Sequence, residues 1–147
     1  MGKINSRTKG ASFERDIAKR LNSFFKEKGI DFKAKRNLEQ YQEKDLGDLN
    51  IPNHIIECKR YASGNWYKED WWQQVCASCG NDIPVLIWKY NHQPIRVCIP
   101  LWAIVGHNNV YAVVEKRSKP THLIVDNSVT VVLTFENWLK YELAYNL

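Results

Sequence analysis

Residues 44–60 read KDLGDLNIPNHIIECKR, in which a Pro-Asn pair joins two short apolar runs. The runs, residues 49–51 and 55–58, are rich in Ile and Leu, which favours β-strands. Pro52 and Asn53 predict a type I turn, because proline presets φ at the second turn position. The stretch therefore predicts a β-hairpin, and the acidic residues inside it need a physical reason.

The register of this hairpin decides which charged side chains meet. If Pro52 and Asn53 form the whole loop, Asp48 lies opposite Glu57, whereas a four-residue loop places Asp48 opposite Lys59. Because side chains alternate between the two faces of a strand, either register leaves Asp48, Glu57 and Lys59 on one face. Only a loop of odd length would separate them.

Two carboxylates opposed across a strand pair repel each other unless a cation lies between them. Hard oxygen ligands at this spacing suit Mg²⁺, which takes one or two carboxylates together with water and phosphate oxygens. Lys59, two residues beyond Glu57, would point at the same ion. There its ammonium could orient or help deprotonate an attacking water, or stabilise charge on a phosphorane.

The alternative is a solvated cluster of charges on an exposed hairpin. Ile55 and Ile56 argue against it, because an apolar residue on each face indicates a strand that is covered on both sides. Acids in such a strand are costly unless they are paired or bind a metal.

The same residues resemble a known motif. Gly47-Asp48, eight further residues and Glu57-x-Lys59 are similar to the PD-(D/E)xK nuclease motif, with Gly47 in place of its proline. The ending at Arg60 resembles the archaeal-type Holliday junction resolvases and their phage relatives. The resemblance implies an α/β fold with a restriction-endonuclease-like core, in which helices flank a mixed central β-sheet. It also implies a Mg²⁺-dependent DNA endonuclease, with Mn²⁺ as a substitute, in which Asp48 and Glu57 hold the ion and Lys59 lies beside the attacking water.

Two further site residues enter through this resemblance. Residues 9–15, KGASFER, resemble the opening of the resolvases, whose helix glutamate joins the metal cluster. Carried over, Glu14 is a third acidic ligand or a water-orienting group; otherwise it would interact favourably with the positive end of its helix. In the family a glutamine on the helix after the Glu-x-Lys strand contacts the site, which implies Gln74, with Gln73 as the alternative.

The resolvase-like features imply a symmetric homodimer that acts on branched DNA such as four-way junctions. A repair or restriction-type nuclease that cuts duplex DNA is the first alternative. A non-catalytic DNA-binding module of the same fold, in which the acids are structural, is the second.

At 147 residues, 44% hydrophobic and 25% charged, the chain is expected to form one nuclease domain with a sizeable core. No apolar run approaches the roughly 18 residues of a membrane span, and the N-terminus lacks the apolar segment of a signal peptide. We therefore expect an intracellular, cytoplasmic protein that does not associate with membranes.

The net charge of +5 lies entirely in residues 1–45, which carry 12 Lys/Arg against 7 Asp/Glu. A basic lobe beside an acidic metal site suits a phosphodiester substrate, although the lobe could also be an ordinary basic surface. The candidate DNA contacts are Arg7, Lys9, Lys35, Arg36, Lys44 and Arg60.

Apolar periodicity predicts the remaining elements. A flexible basic arm at about residues 1–10 precedes a helix from Ala11, capped by Ser12, to about Lys28, which Gly29 ends. The other predicted strands are residues 31–36, 84–90, 95–99 and 129–133, and the other predicted helices are residues 66–79, 100–105 and a last one capped by Thr134. The pattern over residues 108–125 is uncertain.

Cys76 and Cys79 have the C-x-x-C spacing of zinc ligands. They lie, however, in a helical pattern without the turn that a zinc knuckle needs. Reduced, packed thiols are the main prediction for the four cysteines, with structural zinc as the alternative.

Overall fold

The computed structural model describes residues 6–37, 47–105 and 126–147. Its elements are α1 (Ser6–Glu27), β1 (Leu49–Ile51), β2 (His54–Tyr61), α2 (Glu69–Ser78), β3 (Ile83–Tyr90), β4 (Arg96–Pro100), α3 (Leu101–Val105), β5 (Thr130–Thr134), α4 (Phe135–Tyr141) and a 3-10 turn at Leu143–Tyr145. None of the helices in these three ranges has the length and apolar character to cross a bilayer.

The five strands form one mixed sheet in the order β1-β2-β3-β4-β5. β2 and β3 run parallel, with α2 as the crossover between them, and the other neighbouring pairs are antiparallel. Helices cover both faces. The predicted α/β fold, a mixed central sheet flanked by helices as in a restriction-endonuclease-like core, is confirmed.

Each face of the sheet has its own apolar core. On one face α1 buries Ile17, Leu21 and Phe25 completely. On the other face α2 buries Trp71 and Trp72. Strand β2 contributes to both cores, which is why its apolar residues do not alternate with polar ones.

Of the two loop lengths that the sequence allows, the hairpin has the two-residue one, because Ile51 pairs with His54 and Leu49 with Ile56. The predicted turn type is wrong. Asn53 has a φ of 66°, which belongs to a type II turn, and asparagine tolerates this left-handed conformation better than most residues.

Helix α1 begins at Ser6 instead of Ala11, so Ser12 is not its cap and residues 6–10 of the predicted basic arm are helical. The sequence is misleading here because Gly10 costs about 1 kcal/mol inside a helix, which favours a loop at that position. The predicted end is correct. Gly29 has a φ of 69°, and the amide of Ile30 donates to the carbonyl of Phe25 at 2.8 Å, as in a Schellman motif.

The strand predicted at residues 31–36 is absent from the described structure, where only Arg36 forms an isolated bridge, with Leu49. Its backbone groups find a different partner. The amide of Ala34 donates to Oδ1 of Asn22 at 2.6 Å, and Nδ2 of Asn22 donates to the carbonyl of Ala34 at 3.0 Å. The Asn22 side chain of α1 thus supplies the hydrogen bonds that a neighbouring strand would otherwise make with the backbone of Ala34.

Helix α2 begins at Glu69, three residues later than predicted, because Trp66 contacts β3 from outside the helix. The Trp66 carbonyl accepts a hydrogen bond from the Tyr90 hydroxyl at 2.6 Å, and its ring packs edge-on against Trp88. Thr134 caps α4 as predicted, by accepting a hydrogen bond from the amide of Asn137 at 3.1 Å.

The four cysteines are free, and Cys58, Cys79 and Cys98 are buried, as the prediction of packed thiols requires. Burial raises the pKa of the Cys98 thiol to about 11 and that of Cys76 to about 12. These two thiols therefore stay protonated at neutral pH.

A buried polar network ties the C-terminal part of the chain to the hairpin. His54 places Nδ1 at 2.6 Å from the carbonyl of Pro52 and Nε2 at 2.8 Å from the Glu142 carboxylate. Trp138 Nε1 and Asn146 Nδ2 donate to the same carboxylate at 2.8 and 2.6 Å. Since the side chains of His54 and Glu142 are fully buried, each depends on the other for its polar contacts.

Glu142→Ala should lower the free energy of unfolding by about 3–5 kcal/mol, because it removes the carboxylate that accepts from the buried His54 and Trp138 rings and one of the acceptors of Asn146. Urea denaturation measures the effect. Glu136→Ala, on an exposed position of α4, should change it by no more than about 0.5 kcal/mol. Equal effects of the two substitutions would contradict the role of the network.

Candidate active site

Three carboxyl groups from three different elements meet beside β2. Glu14 comes from the middle of α1, Asp48 stands just before β1, and Glu57 is the fourth residue of β2. Asp48 accepts a hydrogen bond from the backbone amide of Cys58 at 2.7 Å. It also shares side-chain hydrogen bonds with Glu14 and Glu57, so the predicted acidic residues lie together.

The crowding of these acids changes their ionisation. Burial, the charge of Glu57 and the charge of Glu14 together raise the pKa of Asp48 to about 8, against the lowering effect of the Cys58 amide. Burial likewise raises the pKa of Glu57, although the charge of Lys59 partly offsets it. The cluster therefore holds a proton near neutral pH where no further cation is present.

Lys59 and Gln74 complete the site from the α2 side. Nζ of Lys59 lies 3.7 Å from a Glu57 carboxylate oxygen and donates to Oε1 of Gln74 at 3.2 Å. Nε2 of Gln74 donates to the same Glu57 oxygen at 3.3 Å. The amide thus bridges the acid and the amine, whereas the side chain of Gln73, the alternative from sequence, appears in none of these contacts.

Glu14 is shared between the acidic cluster and Arg36, whose Nε lies 2.5 Å from Oε2 of Glu14. Because α1 begins at Ser6, Glu14 stands in its interior, so the suggested interaction with a positive helix end does not apply. Among residues 6–37, 47–105 and 126–147, no group of three or more His, Cys, Asp and Glu side chains is already spaced as metal ligands. A Mg²⁺ ion needs only one or two carboxylates, and the Asp48–Glu57 pair supplies two.

A family model described as "Phage putative PDDEXK endonuclease" matches residues 5–145 of the chain. The chain belongs to this family. Searches of curated proteins and of solved structures gave no match. The match spans both the acidic cluster and the C-terminal elements that the sequence alone placed only loosely.

In this PD-(D/E)xK family member, the backbone explains why glycine replaces the proline of the motif. Gly47 has a φ of 74°, which the fixed ring of proline cannot adopt. A Cβ on Gly47 would also come within 2.8 Å of the Ile55 side chain and 2.9 Å of the Ile56 carbonyl. The close approach of residue 47 to β2 therefore requires glycine, and it brings Asp48 against the Cys58 amide.

The predicted DNA contacts of this PDDEXK protein fall into separate groups. Lys9 and Arg60 converge on Asn91, donating to its Oδ1 at 3.1 and 2.7 Å. Lys35 is exposed, whereas the Arg36 side chain is 12% exposed and bound to Glu14. Arg7 lies in the first turn of α1, but its side chain and the whole of Lys44 fall outside the described structure.

Sequence reasoning missed two of these partners. Asn91 follows β3 in a turn and carries no sequence signal that pairs it with Lys9 or Arg60. The sequence assigns Arg36 to DNA alone, and its contact with Glu14 follows from the bridge to Leu49, which no periodicity reveals.

In EDTA, the free energy of unfolding should fall as pH rises from about 4 to 8. The folded state keeps a proton on Asp48 that the unfolded state, with a pKa of 3.8, has already released. A difference of one bound proton gives a slope of at most about 1.4 kcal/mol per pH unit. Asp48→Asn should flatten this decline, as measured by urea denaturation at several pH values.

Asp126→Asn is the control for this measurement. Hydrogen bonds from Ser128 lower the pKa of Asp126, so its titration affects stability below about pH 4, outside this window. Asp126→Asn should therefore run parallel to the wild type between pH 5 and 8. If the stability of Asp48→Asn also ran parallel to that of the wild type, Asp48 would not hold a proton in the folded state over this pH range.

Proposed function

We propose that this protein is a Mg²⁺-dependent DNA endonuclease that hydrolyses phosphodiester bonds. The observation that carries the proposal is the meeting of Glu14, Asp48 and Glu57 beside Lys59 in a member of a PDDEXK family. Acids from separate elements are gathered in a buried place although their mutual repulsion opposes it. A site that binds a cation gives this arrangement a physical reason.

The residues present fit Mg²⁺, and Mn²⁺ by the same chemistry. Asp48 and Glu57 offer hard carboxylate oxygens, and their pKa values are raised first by burial and further by the neighbouring acids. We assign these two as the principal ligands and Glu14 as the auxiliary acid, because Glu14 also binds Arg36. When bound, the ion supplies a Lewis acid that activates water and neutralises charge on the phosphate.

Lys59 is the residue that we assign to the attacking water or to the charge that develops on the phosphate. Gln74 is a positioning residue, since it holds the Lys59 ammonium at 3.2 Å while its amide also contacts Glu57. Glu57 and Lys59 share one face of β2, so the amine lies on the same side as the acid. The displacement at phosphorus that we propose is in line with the leaving oxygen.

The proposed substrate is DNA, bound through phosphate contacts from Lys9, Lys35, Arg36 and Arg60, with Arg7 and Lys44 as further candidates. Phosphate contacts supply most of the non-specific affinity of such proteins, and the excess positive charge of this chain lies in its first 45 residues. Within this proposal, the Glu-x-Lys-Arg ending favours branched DNA such as four-way junctions and a symmetric homodimer with one site for each strand.

A second candidate function is a DNA-binding module without catalysis. The ion pairs of Glu14 with Arg36 and of Glu57 with Lys59 favour it, because structural acids are expected to be neutralised by neighbouring bases. A nuclease that cuts linear duplex, as in repair or restriction, is a variant of the first candidate.

Wild-type protein should nick labelled DNA with Mg²⁺ and not with EDTA, and Glu57→Ala should abolish cleavage. Lys59→Met should lower the single-turnover rate about 10²–10⁴-fold, the usual contribution of a proton-transfer group. Gln74→Ala should lower it about 10–100-fold, as expected for a group that orients another. Glu136→Ala, on exposed α4, should cleave as the wild type does.

Four-way junction, linear duplex and single strand are compared in the same assay. Binding by wild type without Mg²⁺-dependent cleavage would support the module and contradict the enzyme. If linear duplex is cleaved as fast as the four-way junction, the proposed preference for branched DNA is wrong but the nuclease activity is supported.

Mg²⁺ or Mn²⁺ should raise the melting temperature of the metal-free protein, because the ion binds the folded carboxylate cluster. At a free concentration of 100 times the dissociation constant, one site adds about 2.7 kcal/mol. The rise should disappear in Asp48→Asn and Glu57→Gln and persist in Asp126→Asn. An equal rise in all four proteins would place the ion elsewhere.

A further inference from the structure

Helix α1 carries a stripe of positive charge that the candidate active site does not use. Arg15, Lys19, Asn22 and Lys26 are spaced by four, three and four residues, which puts them on one face of the helix. The three cationic side chains are exposed. Like charges at this spacing destabilise a helix slightly, so the stripe is not explained by folding.

The segment of residues 33–36 forms the opposite wall of a groove beside this stripe. Lys33 and Lys35 are exposed, and Arg36 lies at the end nearest Glu14. The two hydrogen bonds between Asn22 and the Ala34 backbone fix the distance between the walls. The groove is open to solvent and has a volume of about 580 Å³.

The lining of the groove is strongly one-sided in charge. Six of its residues are Lys or Arg, and no Asp or Glu of the described ranges lines it. The acidic residues Asp16 and Glu27 of α1 are not among the lining residues. A polyanion is the ligand class that this charge fits.

The dimensions indicate how much of a polyanion the groove holds. From Arg15 to Lys26 the helix rises ~16 Å at ~1.5 Å per residue. Each strand of duplex DNA carries one phosphate per ~3.4 Å, so this length matches about five phosphates of a strand. A single phosphate or nucleotide would reach only a small part of this charged surface.

The lack of aromatic side chains in the groove lining favours duplex over single-stranded DNA as the ligand. Proteins that hold single strands combine positive charge with aromatic side chains on which the bases stack. No aromatic residue lines this groove in the described structure, and the single ring of Phe32 lies in the adjoining depression. A duplex, whose bases are stacked inside the helix, needs no such rings.

We infer that the groove between α1 and residues 33–36 binds the backbone of the duplex arm that flanks the cleaved bond. The inference rests on the proposed DNA substrate, and it adds Arg15, Lys19, Lys26 and Lys33 to the contact surface. Arg36 joins the two sites, since it lines the groove and binds Glu14. The arm thus runs away from the carboxyl cluster along α1.

The test is the salt dependence of binding in EDTA, measured by fluorescence anisotropy with a labelled 20-bp duplex. In Lys19→Gln/Lys26→Gln, both replacements keep good helix formers. Loss of two phosphate contacts should reduce the slope of log affinity against log salt by ~1.8, so that the wild type loses about 12-fold more affinity than the variant between 50 and 200 mM salt.

Lys28→Gln/Lys140→Gln is the matched control. It removes the same charge from exposed lysines that lie over Phe24 and Tyr141 and do not line the groove. The control should keep the wild-type slope. An unchanged slope in the groove variant, or an equal decrease in the control, would overturn the inference.

A labelled single strand of the same length, measured in parallel, tests the duplex assignment. Equal losses of affinity for duplex and single strand in the groove variant would contradict it. Because binding is measured without metal, the outcomes for groove and enzyme are separable. If the groove variant binds duplex with a reduced salt slope but the wild type does not cleave, the groove inference stands and the nuclease proposal is wrong. If the wild type cleaves and the salt slope of the groove variant is unchanged, only the groove inference is wrong.

Discussion

The repulsion among three carboxyl groups is the constraint on which the rest of the structure depends; Glu57 is buried, and Glu14 and Asp48 are half-buried. Asp48 shares side-chain hydrogen bonds with both Glu14 and Glu57, although burial and like charge oppose this arrangement. The free energy that opposes this arrangement is offset by two apolar cores, one on each face of the sheet. The cores anchor α1 and the hairpin so that the acids cannot move apart.

The two bases at the cluster differ in kind. Lys59 shares a face of β2 with Glu57 and is held by Gln74 beside the Glu57 carboxylate. Arg36 comes from outside the sheet and also lines the groove along α1. Its guanidinium has five donors in a planar fork, which allows one side chain to contact a carboxylate and a phosphate at once. Arg36 therefore lies where the groove along α1 meets the carboxylate of Glu14.

The sequence predicts those parts of the fold and site in which local pattern and tertiary contact agree. The order of the apolar segments predicts the mixed sheet, which is confirmed. Pro52-Asn53 predicts the hairpin but leaves its register open between a two-residue and a four-residue loop, and the structure has the two-residue loop. The strand at residues 31–36 was wrong because its alternation of apolar and basic residues reflects a groove wall held by Asn22, a long-range contact with no periodic signature. The sequence predicts too late a start for α1, because Gly10 disfavours a helix at its position. Asp48 and Glu57 were placed by spacing along a hairpin, whereas Glu14 required a resemblance, since nothing local joins a helix to an acid 34 residues away.

The contact between His54 and Glu142 gives the last residues of the chain a role in the architecture of its first half. His54 opens β2, the strand that carries Glu57, and Asn53 beside it donates to the carbonyl of Asn146 at 2.9 Å. The hairpin that presents Asp48 is therefore supported by contacts between residues that lie 88 and 93 positions apart in the sequence. Because the entropy of closing such long loops is lost before their contacts are gained, we expect this support to form late in folding.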